Sequence, residues 1–243
     1  MALDVGAIAA AKEDLDKRGS GDLIKVGDLA DKGEMDIRIL PPTASLGKFY
    51  YLKTVDLKLG KDGGWVKSLA TFGDPDCPVM KIWNEAKQSE DAGVKQRAKE
   101  IIEKPSYFLP VIQITGVDAK GNVKEVKMGC CSAKATIISA ISGFFADGKY
   151  ANGTDDLLAD RVKGRNFTIK RTGTTQNNTR YAVQPWPSES SFEDAKYDEF
   201  YDNTVDVVEV YKAMMGDIST QVDMITNYLY GTPSNKQKKV EDD

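Results

Sequence analysis

Apolar and polar positions alternate along several stretches of this chain and fall at helical spacing along others. MDIRIL (35–40) alternates and stops at Pro41-Pro42, which predicts a strand. KFYYLKTVDLKL (48–59) is a longer alternating run rich in β-formers. Gly60 to Gly64 form a turn, and WVKSLATF (65–72) completes a first predicted hairpin. SYFLPVIQIT (106–115) and NVKEVKM (122–128), joined through Asp118 to Gly121, predict a second. Residues 162–171 and 179–185 predict a third, around the polar loop Gly173 to Asn178.

Helical spacing marks other segments. Residues 3–18 carry Val5, Ile8 and Ala9 on one side, ahead of a break at Gly19 to Gly21. Residues 78–102 read as helical, with an interruption near Gly93. Ala135, Ile138, Ile141 and Phe145 space a helix over 132–145. From Thr204 to Tyr230, apolar residues fall at Val207, Tyr211, Met214, Ile218, Val222, Ile225 and Leu229, one face of a helix that Gly216 weakens and can split in two.

Hairpins separated by helices, without a βαβ rhythm, indicate a mainly β chain with helices, of α+β class. The expected architecture is an OB-fold-like five-stranded barrel with helical insertions and a C-terminal helix. The expected organisation is an N-terminal helical arm (1–33), the barrel core (34–187), an acidic segment with an amphipathic helix (188–231) and a disordered polar tail (232–243).

Composition narrows the function. The 243 residues are 41% hydrophobic and 29% charged, the profile of a globular protein with length enough to bury a core. No apolar run reaches the roughly 18 residues of a membrane span, and MALDVGAIAAAKEDL lacks the basic start of a signal peptide. Only three cysteines occur, two of them adjacent (Cys130, Cys131), so a reducing cytoplasm is the expected compartment. The adjacent pair reads either as buried small residues or as an exposed reactive pair. The absence of histidine removes Ser-His-Asp and Cys-His catalysis and every histidine-bearing metal site. Asp74 with Asp76, and Asp155 with Asp156, are acid pairs of the kind that loops leave solvated. No cofactor is expected.

Charge is distributed unevenly: net −4 over residues 1–36, +8 over 37–187 and −8 over 188–243. Residues 161–187 contain Arg161, Lys163, Arg165, Lys170, Arg171 and Arg180 and no acid, with Phe167, Tyr181 and Trp186 interleaved. Cations alternating with aromatic rings suit a polyanion whose bases can stack.

The chain also resembles a known family, the helix-destabilising single-stranded DNA-binding proteins of T-even-type bacteriophages. The likeness lies in MDIRILPP with its following hairpin and GGWVKSLATFGDPDCPVMKIW, in KPSYFLPVIQI leading to NVKEVKMG, and in GRNFTIKR with a partner strand ending in Gln184-Pro185. These blocks are co-linear over roughly residues 30–190. The resemblance implies a non-catalytic protein that coats single-stranded DNA during phage replication, recombination and repair. The acidic C-terminal region would then meet phage replication or recombination proteins. The family builds a structural zinc partly on Cys-Pro-x-Cys and a histidine; here Cys77-Pro78-Val79 is followed by Met80. The zinc is therefore expected to be lost, with apolar packing around Phe72, Met80 and Trp83 in its place.

The candidate stackers are Tyr107 and Phe108, which match the family's aromatic pair, then Tyr51, Trp65 and Tyr181. The candidate phosphate contacts are Lys53, Lys67, Lys127, Arg165, Lys170, Arg171 and Arg180. Consecutive strand residues face opposite sides, so one of Tyr107 and Phe108 belongs to a core, and Phe108 is the better fit. Phe167 reads as core, as do Trp83 and Trp186 by default. The competing functions are an RNA-binding repressor on the same fold, an adaptor acting through the C-terminal helix, and a metal-dependent nuclease.

Overall fold

A computed structural model of the chain describes residues 22–46, 50–119, 122–146, 164–175, 178–187 and 197–231. The helix expected at 3–18, the tail 232–243, the acid pair Asp155-Asp156, and Arg161 and Lys163 lie outside them. The chain forms two compact units: Met1–Lys53 with Ser106–Ala213, and Thr54–Pro105 with Met214–Asp243. The second is thus assembled from two separate stretches of sequence.

The first unit is built on one large mixed sheet. Its strands are β1 (Asp22–Lys25), β2 (Glu34–Ile39), β3 (Leu52–Lys53), β7 (Tyr107–Val117), β8 (Val123–Ala133), β9 (Asn166–Thr172) and β10 (Arg180–Pro185). Hydrogen bonding follows the order β1-β8-β7-β2-β9-β10, with β3 on β7. All pairings are antiparallel except β1 with β8. One face carries Met35, Ile37, Ile39, Leu109, Val111, Phe167 and Ile169, packed with Ile137, Ile138 and Ile141 of α3 (Ala135–Ala146). The other face carries Phe108 and Cys130, covered by Val207, Val208 and Tyr211 of α5 (Val207–Met215). Beside them Ile112 and Ile114 pack with Tyr197, next to α4 (Asp198–Asp202). Cys130 and Cys131 are fully buried, and burial pushes both thiols up to about 12. They are core residues, not an exposed reactive pair.

The architecture is α+β as expected, but the sheet does not close into a five-stranded barrel. β1 and β10 stand at opposite ends of the strand order. The long first hairpin is the reason. Its alternating run supplies only β3 to this sheet before Thr54 Oγ1 bonds Asp56 Oδ2 at 2.9 Å and the chain leaves for the second unit. The described residues of 48–59 and 65–72 therefore hold three two-residue strands, β3, β4 (Leu57–Lys58) and β5 (Trp65–Val66), instead of two long ones.

In the second unit β4 lies between β5 and β6 (Ile102–Glu103). Leu57, Leu59 and Val66 pack with residues of α1 (Pro78–Gln88), α2 (Ala92–Glu100) and α6 (Ile218–Tyr230). Asp91 caps α2, accepting from the amides of Gly93 at 2.7 Å and Val94 at 2.9 Å. The helical break expected near Gly93 thus falls at Ser89 to Asp91. Asp217 caps α6 through the Ser219 amide at 3.0 Å. Gly216, at φ 63°, takes the left-handed conformation that divides the C-terminal amphipathic run into α5 and α6. Arg97 Nε donates to the Leu229 carbonyl at 2.7 Å and ties the end of α6 to α2. Met80 and Trp83 pack against this core, whereas Phe72 stands at the surface, 36% exposed. Phe72 therefore does not fill the place suggested for it.

Candidate nucleic-acid interface

The strand register gathers part of the predicted site at one end of the first unit's sheet. Tyr107 on β7 pairs with Lys53 on β3. Tyr51, two residues before Lys53, brings its ring centroid to 5.6 Å from that of Tyr107, with the planes at 63°. Both tyrosines are half-buried and Lys53 is exposed. Two aromatic rings and a cation thus share a patch: the β3–β7 pairing sets Lys53 beside Tyr107, and the bend at Tyr51 turns its ring onto that of Tyr107.

The neighbour of Tyr107 is different. Phe108 pairs with Leu52 on the opposite face, is 3% exposed, and has its ring 5.9 Å from that of Tyr211. It is a core residue and offers no face to a ligand. Lys127 is exposed on β8, opposite Gln113 of β7.

The basic hairpin is intact, but its cations hold the protein together as well. Tyr181 of β10 lies opposite Arg171 of β9, and Arg180 opposite Thr172. Arg171 donates to the Gly27 carbonyl at 2.7 Å and to that of Leu29, so its guanidinium fastens the β1–β2 connection to β9. Lys170 pairs with Glu34 across β2 at 2.5 Å. Arg165 donates to the Pro187 carbonyl at 3.0 Å. Arg180 donates to the Thr179 carbonyl at 2.9 Å and remains exposed. Trp186 donates from Nε1 to Thr168 at 3.1 Å and Asp36 at 3.2 Å, which fixes it as a structural ring.

Trp65 and Lys67 belong to the second unit. Trp65 is 46% exposed and pairs with Lys58 of β4, whose ammonium lies 5.8 Å from the ring centroid. Ile102, 52% exposed, flanks Lys58 on the other side. The amide of Lys67 donates to Gln221 of α6 at 2.9 Å. Sequence reasoning missed Lys58, although a register set by the Gly60–Gly64 turn places it opposite Trp65. It also missed Tyr50, because residues 50 and 51 occupy a bend, not the strand that alternation predicted. The Tyr50 hydroxyl shares a 2.7 Å hydrogen bond with Ser142 Oγ on α3. Burial raises the Tyr50 pKa above its ordinary value, against the opposing effect of that bond.

The donors of a family-type zinc site are not present. Cys77 is buried with its sulfur 3.2 Å from Ser68 Oγ, its motif partner is Met80, and the chain has no histidine. Among the described residues no three His, Cys, Asp or Glu side chains converge on one point.

A surface on which Tyr51 and Tyr107 stand beside Lys53, with a basic hairpin in the same sheet, has the layout of a nucleic-acid-binding protein. Residues 31–219 match the family model described as gp32 DNA binding protein like, and the chain belongs to this DNA-binding family. Comparison with curated proteins returned no match.

Proposed function

We propose that this protein binds single-stranded DNA without sequence preference and without catalysis, coating and protecting it during phage replication, recombination and repair in the host cytoplasm. The observation that carries the reading is the patch of Tyr51, Tyr107 and Lys53. Flat rings accept bases of any identity, each worth on the order of 1–3 kcal/mol, while ammonium and guanidinium groups meet the phosphates. In the second unit, exposed Trp65 beside Lys58 repeats the pairing of ring with cation, and Lys67 adds charge two residues along the chain. Lys127 and Tyr181 extend the interface along the face that carries Tyr107, and Arg180, next to Tyr181 on β10, adds charge from the other face of that strand. Arg165, Lys170 and Arg171 contribute charge while serving as structural ties. The acidic residues beyond Pro187 are the proposed contact for replication or recombination proteins.

Titration of labelled oligo-dT against salt tests this. With about four phosphates engaged, log K against log salt should fall with a slope near −3. The reading fails if an oligonucleotide of about 20 residues shows no binding at low salt.

A further inference from the structure

The tyrosine patch is coupled to a helix that bears none of its aromatic rings. Tyr50 and Tyr51 are consecutive, and on a strand their rings would point to opposite sides. The bend before β3 instead brings the two ring centroids to 5.0 Å with the planes at 81°. Tyr51 in turn meets Tyr107. The three rings form a chain, each packed against the core that α3 completes. The outermost, Tyr50, is joined by its hydroxyl to α3, through the Ser142 side chain. Ser142 is exposed, so the serine fills no place in the core.

We propose that the Ser142–Tyr50 hydroxyl bridge is a positioning device for the binding patch: α3 fixes Tyr50, and Tyr50 sets the tilt at which Tyr51 and Tyr107 receive nucleobases. Tyr50 and Ser142 are positioning residues, not ligand contacts. A tilted pair of edge-packed rings has several arrangements of similar energy, and anchoring one end selects among them before the ligand arrives. The gain is preorganisation, so its loss weakens binding without changing the charge that the strand meets.

The inference rests on the single-stranded DNA reading, and three variants test it beside the unaltered protein. Tyr50→Phe and Ser142→Ala each remove the bridge and keep the ring or the helix. Each should weaken oligo-dT binding by about 3–10-fold, the worth of one hydrogen bond. The double variant should be no weaker than either single one, since both changes break the same bond. The slope of log K against log salt should not move, because no cation is lost. Ser142→Thr keeps the hydroxyl and should restore the affinity. Wild-type affinity in both single variants, additive losses in the double variant, or an altered salt slope would overturn the proposal. If the unaltered protein fails to bind, the single-stranded DNA reading itself falls; if it binds and the variants match it, only the bridge's role falls.

Discussion

Tyr107 and Phe108 show how one residue of offset decides a fate. Both are aromatic, both lie on β7, and the pleat sends them to opposite faces. Tyr107→Ala should weaken oligonucleotide binding by about 1–3 kcal/mol and cost less stability than the loss of a fully buried ring, since Tyr107 is only half-buried. Phe108→Ala should do the reverse, lowering stability by about 3–5 kcal/mol through the cavity left beside Tyr211. Fluorescence titration and urea unfolding of the two variants separate the effects; matching losses in both assays would contradict the face assignment. Arg171 carries a similar lesson. Its place in an acid-free run marks it as a phosphate contact, but the carbonyls of Gly27 and Leu29, distant in sequence, claim its donors. A composition pattern counts cations and gives no information on which carbonyls the fold will bring to them.

At the scale of elements, Gly216 and the aspartate caps are the sensitive points. An added Cβ at Gly216 would meet open space, so Gly216→Ala costs only the backbone term at φ 63°, about 1–2 kcal/mol by urea midpoint. Asp91 and Asp217 are held below the usual aspartate range, chiefly by the backbone amides of Val94 and Ser219, and Asp76 by its hydrogen bond to Lys81. All three lie in the second unit. In each the folded pKa lies below the unfolded one, so the stabilisation is fully present above an unfolded value of about 3.9 and is lost as pH falls through the folded values. Urea midpoints measured downward from pH 5 should therefore decline for this unit, and Asp91→Ala should flatten the decline. The elements themselves were largely legible. The strand expected at 35–40 is β2, the second and third hairpins are β7–β8 and β9–β10, and 132–145 is α3. Alternation and 3.6-residue spacing survive tertiary packing where no local side-chain hydrogen bond interrupts them. The four-residue β1 and five-residue α4 were missed, being too short to show a period. The first hairpin failed because its alternation continues through Thr54 and Asp56, which close a local hydrogen bond instead of a ladder.

For the whole molecule, the division into two units was the least legible property, since both contribute to residues 34–187 without any linker-like composition between them. Contacts of high sequence separation made the second unit. Ile225 and Leu229 of α6 are fully buried among residues of α1 and α2. Deleting the chain from Gly216 onward removes both; each such loss costs about 2–5 kcal/mol. Hydrogen exchange should then show α1 and α2 unprotected while β7 and β8 stay protected. Retained protection in α1 would mean that α6 is dispensable to that core.

The same discontinuity has a consequence for synthesis on the ribosome. Residues 54–105 emerge early, with Leu57, Val66 and Val79 prepared for a helix that has not yet been translated. At about 5–20 residues per second, Leu229 follows Pro105 by roughly 6–25 s. For that interval the nascent segment presents an uncovered apolar surface, which makes it a natural client for chaperones that shield emerging chains.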